Sequence, residues 1–108
     1  MSRYDRAIAL IRSTIDDLNT DLGLTDERRV TFGYIGNLRG EPGGPNDDRL
    51  WSIFLPHPGR LGRPDDAIGG FRTGDTGGAV AALAWVCAFR QGIRWAASEE
   101  LAASRRDA

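Results

Sequence analysis

Ala79-Val80-Ala81-Ala82-Leu83-Ala84-Trp85-Val86-Cys87-Ala88-Phe89 is a run of eleven residues without one polar side chain. On a helix turning about 100° per residue, Val80, Leu83, Trp85, Val86, Cys87 and Phe89 spread over roughly 220° of its circumference. The remaining arc holds Ala81, Ala84 and Ala88. A helix resting on a small sheet buries a narrower stripe than this, so the surplus has to meet another helix, the Gly-rich loops or another chain. One reading is a central helix wrapped by its own protein, because helices apolar all round are usually buried. The other is an interface, either a homodimer seam or a partner-binding groove.

Outward from the run, Thr76 begins the helix, and the pattern extends it to about Ser104, with a bend or interruption expected near Gly92. Arg105 and Arg106 stand where a helix C-terminus favours positive charge. Upstream, Ala67 to Arg72 is a short candidate strand inside a Gly/Pro/Asp-rich stretch. Leu50 to Leu55 is a clearer one. Leu50 and Phe54 share one of its faces and Trp51, Ile53 and Leu55 the other, leaving Ser52 as its only polar residue, so both faces call for cover. Residues 29–36 alternate, with Val30, Phe32 and Tyr34 on one side and Thr31 and Gly33 on the other, which predicts a one-sided strand. Between these two strands, Gly40, Pro42, Gly43, Gly44 and Pro45 predict a long, mobile hairpin loop.

At the start of the chain, Tyr4, Ile8, Ile11, Ile15, Leu18 and Leu22 recur at spacings of four and three, the stripe of an amphipathic helix. Ser2 with Asp5 is a weak capping pattern before it, and Gly23 supplies the residue that commonly ends a helix. The expected architecture is α+β, a single domain over residues 1–108. Its order is helix, strand, strand, a short strand, helix, with two helices packed on one face of a small antiparallel sheet.

The chain has 108 residues, formal net charge −1 and a pI near 5.7. All 14 basic residues are arginines, which removes Schiff-base chemistry and the lysine of a phosphate-binding P-loop. The arginines are scattered from Arg3 to Arg106, which argues against nucleic-acid binding. One cysteine, Cys87, forms no intrachain disulfide and fits a reducing compartment. No apolar signal-like run follows Met1 and none is long enough to span a bilayer, so a cytoplasmic location away from membranes is expected.

The best place for a small ligand is Gly69 to Gly78, a Gly-rich loop opening a helix. Gly77 and Gly78 expose backbone N–H groups there, and Arg72, Thr73 and Thr76 stand close enough in sequence to help hold a phosphate or carboxylate. Asp75 occupies the position where a P-loop needs its lysine, and an N-capping carboxylate would itself fill the anion site. His57, the lone histidine, sits between Pro56 and Pro58, and its use as a base would require pairing with Asp65 or Asp66. The pairs Asp16-Asp17, Asp47-Asp48 and Asp65-Asp66 lack the spacing of a calcium loop and read as solvated or turn residues. No Cys/His zinc set can form within one chain, and Cys87 reads as a small buried hydrophobe.

No catalytic residue, metal site or cofactor is therefore expected. The sequence points to a non-enzymatic protein–protein interaction module, of the kind represented by small inhibitors, accessory proteins of phages and mobile elements, and immunity proteins. Its partner would be another protein or a second copy of itself. Trp51, Ile53, Trp85, Phe89 and Trp95 are the candidate contact residues. The alternative is a nucleotide- or anion-binding module, or an enzyme, using the Gly-rich loop.

Overall fold

The computed structural model of the chain describes residues 2–25, 28–34, 50–56 and 66–106. The elements are α1 (Arg3–Leu22), β1 (Thr31–Tyr34), β2 (Leu50–Leu55), β3 (Asp66–Arg72) and α2 (Thr76–Arg106). The three strands form one antiparallel sheet in the order β1-β2-β3. This is the α+β arrangement read from the sequence, and the short third strand is real.

α1 begins where Ser2 is extended and its hydroxyl accepts a hydrogen bond from the Asp5 backbone N–H at 3.0 Å. It ends at Gly23, whose φ of 65° is left-handed, with the N–H groups of Gly23 and Leu24 closing on the Thr20 and Asn19 carbonyls. Ile8, Ile11, Ile15 and Leu18 are buried as their spacing requires, together with Ala7. Leu22, at the end of the stripe, is exposed. The Asn19 side chain then fastens the chain as it enters β1, accepting from Val30 N–H at 2.8 Å and donating to Val30 C=O at 2.9 Å.

Cross-strand pairing places Phe32 beside Ile53 and Tyr34 beside Trp51, with Phe71 on the far side of Trp51. These side chains share the face that meets the helices and join Ile11, Leu18, Ala79 and Val86 in one core. Trp51 is its centre, 4.7 Å edge-on from Tyr34 and 5.0 Å from Phe32 between ring centroids. Ser52 and Phe54, on the opposite face of β2, are buried as well, so the strand that called for cover on both sides has it. Between Trp51↔Phe71 and Ile53↔Ile68 the register slips by one, so Gly69 and Gly70 together stand opposite Ser52 as a β-bulge.

α2 differs from its sequence reading in two respects: it runs unbroken through Gly92 to Arg106, and Cys87, expected to be buried, is exposed. Gly92 keeps helical geometry, and a single glycine costs a helix only about 1 kcal/mol relative to alanine. The proposed loop over residues 37–48, His57 and its acidic neighbour Asp65 lie outside the described residues.

Candidate partner-binding surface

Three contacts fix how α2 lies on α1. The Thr14 hydroxyl and the Cys87 sulfur are 4.0 Å apart, Arg90 reaches Asp17 at 3.6 Å, and Arg94 reaches Asp21 at 3.2 Å. Each pair is separated by 73 residues (87 − 14, 90 − 17, 94 − 21), so position rises with position and the helices run parallel. The three intervening strands alternate in direction, and their odd number returns the chain to the heading of α1.

The same offset places the end of α1, Leu22, level with Trp95 (22 + 73), and α2 continues to Arg106. Eleven residues, about 16 Å of helix at 1.5 Å per residue, therefore run on past the helix that covers the rest of α2. Over residues 94–105 every residue except the half-buried Ala102 is exposed.

Arg90 gives its Nε to Asp21 at 2.9 Å, and Arg94 adds a second bond to the same carboxylate oxygen. The Arg90 hydrogen bond does most to hold the Asp21 carboxyl below its ordinary value of 3.8; partial desolvation opposes it, and Arg94 adds to the lowering. These bonds mark the side of α2 that faces α1. The core side is marked by Val86, which is fully buried.

Against that frame the candidate contact residues separate. Trp51 and Ile53 are completely buried inside the chain and so present no surface to a partner; a strand apolar on both faces proved to be a central strand, not an interface. Trp85 and Phe89, one turn apart on the flank of α2 away from α1, are half-buried and stacked at 5.0 Å with their planes 13° apart. Trp95 is nine positions beyond Val86, half a circumference from the core at about 100° per residue, and is 68% exposed. Val80 and Leu101, at 44% and 55% exposure, are further apolar side chains on the surface of α2, outside the contact set expected from the sequence. The signal for Leu101 was available: it is a lone large apolar residue in the polar stretch 98–106.

The Gly-rich loop is arranged as a helix start. Asp75 N–H bonds the Arg72 carbonyl, Gly74 has φ 83°, and the Asp75 carboxylate accepts from Gly78 N–H at 3.1 Å. That carboxylate sits where an incoming anion would sit. The Thr73 hydroxyl is turned inward to Trp51, and Arg72, next to the inward-facing Phe71, belongs to the other face of the sheet. Thr76, Gly77 and Gly78 follow in the first turn of α2, where the Gly78 N–H is already taken by Asp75. Among the described residues no three His, Cys, Asp or Glu side chains gather to hold a metal, and no helix is long and apolar enough to cross a membrane.

No protein-family model matches the chain, and no curated protein or solved structure is significantly similar to it.

Proposed function

We propose that this chain is a non-enzymatic protein–protein interaction module that offers α2 to its partner, in the manner of a small inhibitor or accessory protein of a phage, mobile-element or immunity system. The supporting observation is Trp95, a tryptophan 68% exposed on the side of α2 opposite the core, at the point where α1 stops. Tryptophan is enriched among residues that dominate binding energy, and its large rigid surface is costly to leave in water. Trp85 and Phe89, half-buried where they pack against the core, border this surface on one flank of the same helix.

The test compares proteins retained from the source cell by the immobilised wild-type chain and by Trp95→Ser, followed by titration of each purified candidate. Loss of a specific partner in Trp95→Ser, with a blue shift of the tryptophan emission when wild type binds it, is the expected result. Retention of an identical set by both forms would overturn the reading.

A further inference from the structure

We infer that the occupant of the outer face of α2 is a second copy of this chain, docked parallel to the first about a two-fold axis. This rests on the interaction reading above and names its partner. The face opposite Val86 carries Ala81, Ala84, Ala88, Gln91, Trp95, Ser98 and Ala102, at alternating spacings of three and four. That is the seam of a coiled coil, with Ala81, Ala88, Trp95 and Ala102 in one set of seam positions and Ala84, Gln91 and Ser98 in the other. Ala81, Ala84, Ala88, Gln91, Trp95 and Ser98 are exposed, and no seam position from Ala81 to Ala102 is charged; the next position, Arg105, lies exposed in the last turn of the helix, where a symmetric pair sets it beside its own copy.

Charge decides the occupant and its direction. Arg94 flanks the seam on one side and Glu99 on the other, five residues later. In a parallel pair, each flank faces the opposite flank of the second helix, and side chains five positions apart meet; Arg94 then meets Glu99 of the second copy, twice by symmetry. In an antiparallel pair like flanks meet, and neither arginine finds a glutamate. Arg94 is 58% exposed and commits only its Nε to Asp21, so the rest of its guanidinium is available for this bond.

Sedimentation of the full chain over a range up to about 0.5 mM should show reversible passage from 11.8 kDa to twice that mass, since a seam this small falls below the interface area of permanent dimers. Glu99→Arg should weaken the dimer about tenfold, and Arg94→Glu combined with Glu99→Arg should restore it. In a Cys87→Ser background, Gln91→Cys and Ser98→Cys should each form a disulfide-linked dimer under mild oxidation, while Glu100→Cys, facing away from the seam, should not. An antiparallel pair could link itself at only one of the two positions. A chain that stays at 11.8 kDa throughout, a dimer indifferent to Glu99→Arg, or cross-linking at only one seam position would overturn the inference. A monomer that still loses a different protein on Trp95→Ser would sink the self-pairing alone and leave the interaction reading standing.

Discussion

The indole N–H of Trp51 donates to the hydroxyl of Thr73 at 3.0 Å, joining the largest fully buried side chain to the turn that launches α2. Thr73→Val keeps the shape of the side chain and leaves that indole without its acceptor. The expected cost is about 1–3 kcal/mol in urea unfolding, with Thr73→Ser close to wild type. Equal midpoints for the valine and serine variants would show that the bond contributes nothing.

Asn19 satisfies both backbone groups of Val30 with one side chain, and alanine would leave two part-buried groups to find water. Asn19→Ala should destabilise the chain by about 1–3 kcal/mol. Hydrogen exchange at the Val30 amide should accelerate by more than exchange at Trp51. Uniform acceleration across the sheet would instead mean that Asn19 acts only through global stability.

Asp21 makes stability depend on pH in a predictable direction. Its folded-state pKa lies below 3.8, so the unfolded chain takes up the proton first as pH falls. The contribution is fully present above the unfolded value and disappears as pH drops through the lowered folded value. Asp21→Asn should therefore melt below wild type at pH 7, and the two curves should draw together in acid beneath that range. High salt should narrow the gap at neutral pH, because the carboxylate is at the surface. A gap that persists unchanged in acid would assign the effect to packing.

Two glycines of α2 should respond to alanine with opposite signs. A Cβ at Gly78 would collide with Phe71 Cβ and stand 2.6 Å from an Asp75 carboxylate oxygen, whereas a Cβ at Gly92 would meet nothing within 4 Å. Gly78→Ala should cost about 1–3 kcal/mol through overpacking. Gly92→Ala should stabilise by about 0.5–1 kcal/mol through helix propensity. Thermal melts of the two variants in parallel check both signs.

Much of the fold was legible because it is written in local periodicity. The 3-4 spacing from Tyr4 to Leu18, the alternation through Phe32 and Tyr34 and the apolar Leu50–Leu55 each name an element without reference to anything distant. The same locality explains what was lost. Trp51 and Trp95 are equivalent residues to a sequence reader, yet one is enclosed by three aromatic neighbours contributed by β1 and β3 and the other projects from a helix that has outrun its cover. Which tryptophan is the core and which the surface depends on sheet order and on the lengths of two helices laid side by side. The anion-site candidate was legible in both directions, since Asp75 announces the cap that fills the loop.

The parallel course of α1 and α2 sets the order in which the molecule can assemble. The bonds between these helices join residues 69 and 73 apart, so no short hairpin brings them together and the sheet has to turn the chain around first. Closing so wide a loop costs entropy before its contacts repay it, and the α1–α2 contact is expected on the late side of the folding barrier. Weakening Asp21 or Arg90 will then shorten the lifetime of the native state while leaving the rate of reaching it nearly untouched.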